Sequence, residues 1–222
     1  MNNDDILEAR LFYQKTGDLK YISHLDMNRC MQRVLRRSRL PVWHTEGFNP
    51  HVYITFALPL SLGIESLYET MDFRIVRPAD YALAERLIPP ALPEGLKLIR
   101  VAPPKMKVAD IALADFSVCA HGASGDALSR WNEYFAQEAI VIPKKTKAGM
   151  KDVDVKPYSM QQREPELEDG ALRLTLRLAA GSAVNINPML LFNDFIARSG
   201  AQFERVDYMK LAVYNKNGVL FE

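Results

Sequence analysis

The element order β-α-β-β-α-β, read twice along 222 residues, predicts an α+β protein made of two tandem ferredoxin-like sandwiches. Two observations support this expectation. The apolar period switches between 2 and 3.6 in the same sequence in each half. Proline, glycine and Asx residues also mark turns and helix ends between these runs. The boundary is expected within "APPKMKVADIALA", giving domains 1–106 and 107–222.

In the first half, "ILEARLFYQKT" alternates at Ile6, Leu11 and Tyr13 and reads as a strand, followed by a turn at "GDL". Ser23 then suits an N-cap, with Asp26 three residues on and helical spacing as far as Pro41. "HVYITFALPL" and "SLYETMDFRIV" are strand-like runs joined through "SLGIE". "PADYALAERLIPPAL" predicts a short helix closed by Pro89 and Pro90, and "LKLIRVAP" returns as a strand.

The second half follows the same order. "DFSVCAH" is a strand, and "SGDALSRWNEYFAQE" is a helix capped near Ser124 or Asp126. "AIVIP" is a strand leading into a lysine-rich loop, "KKTKAGMK". "VDVKPYSM" and "ALRLTLRLA" alternate around the acidic turn "REPELEDG". "NPMLLFNDFIARSG" predicts a helix with Pro188 in its first turn and Gly200 at its end. The last segment is expected to close as a hairpin turning at Asn217-Gly218.

Composition excludes several function classes. Apolar residues are 48% and charged residues 25%, an ordinary globular balance, and the net charge of +1 means that any attraction for polyanions must come from local clustering. The acidic start "MNNDDILEAR" has no signal-peptide pattern, and no apolar run is long enough to span a membrane, so a cytoplasmic protein with no membrane partner is expected. Cys30 and Cys119 lie in apolar patterns and read as buried structural thiols; two cysteines cannot ligate an iron–sulfur cluster within one chain. No Walker A or dinucleotide-binding glycine fingerprint occurs.

The first helix is the most informative element. At about 100° per residue, Met27, Cys30, Met31, Val34 and Leu35 share one arc, and Arg29, Arg33, Arg36 and Arg37 the opposite one, with Asp26 at its edge. Four guanidiniums on one face suit bidentate phosphate binding. The competing reading is a solvated face countered by Asp26, Glu46 or Glu65, but acids are few for such a row. In "LPVWHTEGFNPHV", Gly47 and Asn49-Pro50 fold the chain back, bringing His44 and His51 toward the helix. Trp43 and Phe48 offer rings for stacking, with Phe48 expected in the core. His24 follows Ser23 and is expected to hydrogen-bond at the helix start.

His24, His44 and His51, with Asp26 or Glu46, have the ligand types of a zinc or iron site. Their spacing matches no established metal motif and the arginine row disfavours a dication, so no metal or cofactor is expected and the three histidines stand as the alternative metal set. His24 or His51 would be the catalytic group, a general acid–base, if the protein cleaved phosphodiesters. Lys144, Lys145, Lys147, Lys151 and Lys156 around Gly149 form a second cationic segment, read either as a phosphate clamp or as a solubilising loop.

The segments "YISHLDMNR", "RRSRLPVWHTEGFNPH", "ALPLSLGIES" and "TKAGMKDVDVKPY" resemble the bacterial radical-SAM-linked domain family, over most of the chain and most densely between Tyr21 and Glu69. Its Ser-His-Leu-Asp motif maps to Ser23, His24, Leu25 and Asp26, and its Gly-Phe-Asn-Pro-His motif to Gly47 through His51. The lysine loop maps to Lys147 through Pro157. Val52 departs from the proline that often follows the second motif. Members occur alone or fused behind a cobalamin-binding radical SAM protein, and the family has no settled activity. The resemblance implies an accessory partnered with a radical SAM enzyme acting on RNA, since this chain lacks the three-cysteine cluster motif. The expected ligand-binding set is therefore Ser23, His24, Asp26, Arg29, Arg33, Arg36, Arg37, His44, Gly47, Asn49, His51, Glu65, Lys145, Lys147 and Lys151. The alternatives are a metal-independent ribonuclease and a protein–protein scaffold.

Overall fold

The computed structural model describes residues 5–146, 149–182 and 184–222, with side chains for all of these except 144–146. They form two compact units, Met1–Asp110 together with Phe221–Glu222, and Ile111–Leu220. Both mix helices with antiparallel sheet.

The first unit runs β1 (Ile6–Lys15), α1 (His24–Arg37), β2 (Ile54–Phe56), β3 (Ile64–Val76), α2 (Tyr81–Leu87) and β4 (Leu96–Ala102). The strands pair in the order β4–β1–β3–β2, each pair antiparallel. The period of two sends Ala9, Leu11 and Tyr13 of β1 and Met71, Phe73 and Ile75 of β3 into one core with Met27, Met31, Val34 and Leu35 of α1. A register shift between Tyr13 and Lys15, opposite Glu69 and Ser66, marks a bulge near the end of β1. The chain leaves α1 through Arg39, whose φ of 58° is a left-handed value unusual outside glycine.

The opposite face of this sheet is polar and aromatic. Arg10, 1% exposed, holds Asp72 through two hydrogen bonds of 2.6 and 2.8 Å, and its guanidinium lies 4.3 Å from the centre of the Phe221 ring. Arg100 covers the Phe12 ring at 3.9 Å and donates to the Glu222 carboxylate at 2.6 Å. Lys105 donates to the other carboxylate oxygen at 2.6 Å, and the Tyr68 hydroxyl donates to the Phe221 carbonyl at 2.8 Å. The Lys105 hydrogen bond, with the Arg100 charge, holds the Glu222 carboxyl below its ordinary value. A depressed folded-state pKa gives stability that is present above the unfolded value and lost as pH falls through the folded one. Acid titration monitored by unfolding is therefore expected to show a stability loss below the usual glutamate range that is smaller in Glu222→Gln; an identical acid profile in the variant would contradict this.

The second unit runs β5 (Ile111–His121), α3 (Ala127–Phe135), β6 (Val141–Thr146), β7 (Gly149–Asp154), β8 (Ser159–Gln161), β9 (Glu166–Glu168), β10 (Ala171–Ala179), α4 (Pro188–Ser199) and β11 (Arg205–Asn215). Its sheet is β11–β5–β10, with β8 and β9 each pairing part of β10, all antiparallel. α3 and α4 meet through Trp131, which is fully buried and lies within 6.0 Å, ring to ring, of Tyr134, Phe135, Phe192 and Phe195. Asn187 caps α4 by accepting from the Met189 amide at 2.9 Å, and Gly200 ends it with φ 66°.

Several local expectations change. The lysine-rich stretch is a hairpin in which Lys144 and Lys145 of β6 stand opposite Lys151 and Met150 of β7. The run "VDVKPYSM" breaks at a 3-10 turn over Lys156–Tyr158, because Pro157 has no amide hydrogen for a ladder. The acidic turn contains β9, and the terminal hairpin reduces to one bridge, Tyr214 to Leu220, after which Phe221 joins the first unit. Both cysteines are half-buried free thiols, not buried ones. Cys30 sits at the rim of the apolar arc of α1, while Cys119 shares the β5 face of Ser117 and His121, with its Sγ 3.4 Å from Arg173.

Candidate functional site

α1 is fixed before it can present anything. Ser23 Oγ accepts from the Asp26 amide at 3.1 Å and donates to the Asp26 carboxylate at 2.7 Å, so Ser23 and Asp26 cap the helix together. His24 takes no part in that cap; it is exposed, with its ring edge-on to Phe56 at 5.1 Å. With Met27, Met31, Val34 and Leu35 buried, the arginine arc is turned outward, and Arg29, Arg33, Arg36 and Arg37 are all exposed.

Their partners are few. Arg29 reaches Asp26 at 3.3 Å, with both side chains about 60% exposed, a pairing worth little in water. Arg36 has a long contact of 3.5 Å to Gln32, and Arg37 donates to the Ala91 carbonyl at 2.7 Å. The Arg33 side chain makes no hydrogen bond or ion pair among the described residues. Burial raises the pKa of the Cys30 thiol, while the Arg37 and Arg33 charges pull it back.

The loop after α1 is a tight, self-bonded turn. The Thr45 amide donates to the His51 carbonyl at 2.8 Å, and His51 Nδ1 lies 3.2 Å from the Asn49 carbonyl and 3.0 Å from Thr45 Oγ1. Gly47 takes φ 122°, and Phe48 beside it is fully exposed, not in the core as its apolarity led one to expect. The turn spends its inward positions on its own hydrogen bonds and leaves the ring in solvent. Trp43 stands edge-on to Tyr53, and the Arg74 guanidinium lies over both rings at 4.9 and 4.6 Å. His44 Nδ1 contacts the Val42 carbonyl at 3.1 Å.

The three histidines of the alternative metal set thus have separate partners, and among the described residues no three His, Cys, Asp or Glu side chains could hold a metal ion together. Glu65 accepts from the Gly17 amide at 2.5 Å and braces that turn. Lys151 is exposed on β7; the Lys145 side chain and all of Lys147 lie outside the described residues.

A second constellation lies at the start of α1. Tyr13, Lys15 and Glu69, which are 1%, 3% and 4% exposed, line a small pocket with His24 and Phe56. Burial first, and then the charge of Glu69, raise the Tyr13 hydroxyl pKa well above its ordinary value, so it stays protonated. Sequence reading missed Tyr13 and Lys15. The available signal was a lysine at an inward position of β1, two residues beyond Tyr13.

Comparison with known proteins identifies the family. No curated protein matches the chain. Two solved structures are similar at 11% identity, each aligned over 92% of this chain and 98% of its own: an unknown protein from Galdieria sulphuraria with a TM-score of 0.27, and a protein provisionally assigned as a glycine cleavage system transcriptional repressor with a TM-score of 0.26. Scores at this level support no argument. No helix among the described residues is long and apolar enough to cross a membrane. A family model matches residues 8–188, well over half of the chain, and the protein therefore belongs to that family, described as an uncharacterized protein conserved in bacteria (DUF2344).

Proposed function

We propose that this protein is an accessory binding module that holds RNA for a radical SAM enzyme, with the α1 arginines on the phosphates. The observation that carries the reading is the exposed row Arg29, Arg33, Arg36 and Arg37, for which Asp26 is the one carboxylate partner among the described residues. A cationic face with so little internal compensation is stabilised by an external polyanion, and release of the condensed counterions drives the association. The exposed Phe48 ring supplies a stacking platform of the kind single strands use. Lys151, exposed on β7 of the lysine-rich segment, supplies a second phosphate contact in its own unit. The link to a radical SAM partner rests on the motif resemblance. We also read the two units as ferredoxin-like sandwiches, the β4–β1–β3–β2 order of the first being the supporting feature.

The test is fluorescence anisotropy of a labelled single-stranded RNA across a salt series. Binding that falls linearly in log–log form is expected, with Arg33→Ala weakening it at every sequence and Phe48→Ala costing about 1–3 kcal/mol without loss of thermal stability. No binding at low salt, or binding indifferent to salt, would overturn the reading in favour of a partner-docking scaffold. Loss of RNA integrity that disappears in His24→Ala or His51→Ala would instead identify a ribonuclease.

A further inference from the structure

We infer that the phosphate path of α1 continues onto α2 through a seat formed by Arg37 and Arg86, and that this seat takes a phosphodiester of the RNA backbone. The inference rests on the RNA reading above and extends it to a residue outside the arginine row. Arg37, Ser38, Arg86, Leu87, Pro90 and Ala91 line a concavity of about 300 Å³ at the shared C-terminal ends of the two helices. Helix C-termini ordinarily repel anions through their unpaired carbonyls. Here several of those carbonyls have donors. Leu35 O accepts from Ser38 Oγ at 2.7 Å, Val34 O from the Ser38 amide at 2.9 Å, and Ala84 O from the Ile88 amide at 3.0 Å.

The two arginines are poised differently. Arg37 is anchored, giving one Nη to the Ala91 carbonyl at 2.7 Å and keeping its other donors. Arg86 is exposed, and its side chain has no hydrogen bond or ion pair among the described residues. Its neighbour Glu85 turns to β4, where its carboxylate accepts from the Val101 amide at 2.8 Å. One fixed and one free guanidinium across a concave seat match the divergent oxygens of a phosphate. The seat is also in step with the row. Arg29, Arg33 and Arg37 are four residues apart, so their Cα atoms rise by about 6 Å each along the axis, within the reach of one nucleotide of an extended strand. Arg86 then adds a contact beyond the end of the helix.

The experiment compares wild type, Arg86→Gln, Arg86→Lys and Arg33→Ala on two RNAs of one sequence, with and without a 5′-phosphate, by anisotropy over a salt series. Arg86→Gln is expected to bind both RNAs several-fold more weakly and to lower the log–log salt slope by about 0.7, one phosphate contact on a single strand. Arg86→Lys is expected to retain the slope. If Arg33→Ala lowers the slope while Arg86→Gln does not, the seat is refuted and the RNA reading stands. If only the 5′-phosphorylated RNA responds to Arg86→Gln, the seat takes a terminal phosphate and the backbone path is refuted. If wild type binds neither RNA, both fail. Unchanged thermal melting of Arg86→Gln excludes a folding defect.

Discussion

Asp72→Ala is expected to lower the unfolding free energy by about 3 kcal/mol, the lower end of the range for breaking a buried ion pair. The cost comes from what is left behind. Arg10 is 1% exposed and directs two hydrogen bonds to Asp72, which itself keeps 20% of its side-chain surface in water. Without the carboxylate, the guanidinium would be held between the sheet and the Phe221 ring, and a ring face compensates a charge only in part. The exposed fifth of Asp72 lets water replace some of the lost interaction, hence the lower end. Replacing both residues by apolar ones of similar volume is expected to cost much less than Asp72→Ala alone, because that change removes the desolvated charge too. Urea unfolding of the single and double variants checks both statements. A single-variant loss below about 1 kcal/mol would mean that Phe221 and water suffice to hold Arg10.

Trp131→Ala is expected to cost about 3–5 kcal/mol, as large aromatic truncations in packed cores do. Four rings surround this indole, Phe135 nearly parallel at 18° and Phe195 at 85°, so truncation would leave a void that rigid neighbours cannot fill by small shifts. The indole Nε1–H also donates to Gln161 at 3.1 Å, tying α3 to β8. Trp131→Phe keeps most of the volume but strands the Gln161 oxygen, and an intermediate loss is expected. Chemical denaturation followed by far-UV circular dichroism would rank the three proteins, and Trp131→Ala behaving like Trp131→Phe would show that the cluster collapses around the gap.

Much of this fold was legible because its signals are local. The α1 wheel separates Met27, Met31, Val34 and Leu35 from the arginines, and Ser23 caps it where the sequence indicates. The positions of Pro188 and Gly200 likewise bracket α4. What stayed hidden depends on contacts between distant segments. Phe48 is apolar and reads as a core residue, yet its loop satisfies itself through Thr45, Asn49 and His51 and leaves the ring outside. His24 follows a capping serine, which made it a candidate for the same job, but one cap suffices and the ring packs on Phe56 instead. Lys15 and Arg86 acquire their roles only once β1 meets β3 and α1 meets α2. The lysine stretch reads as a loop because its β-propensity is low, and the pairing of β6 with β7 overrides that preference.

The seating of Phe221 and Glu222 on the first unit bears on the direction of synthesis. The Glu222 carboxylate closes on Lys105, a residue 117 positions upstream in the chain. At ribosomal speed, roughly ten seconds separate the two. For that interval the nascent first unit has its helical face packed while the Arg10 guanidinium still lacks the Phe221 ring, as the second unit is translated. The unit that is made first is thus the last to be finished, and a nascent chain stalled before residue 221 should depend most on a chaperone that shields the bare sheet.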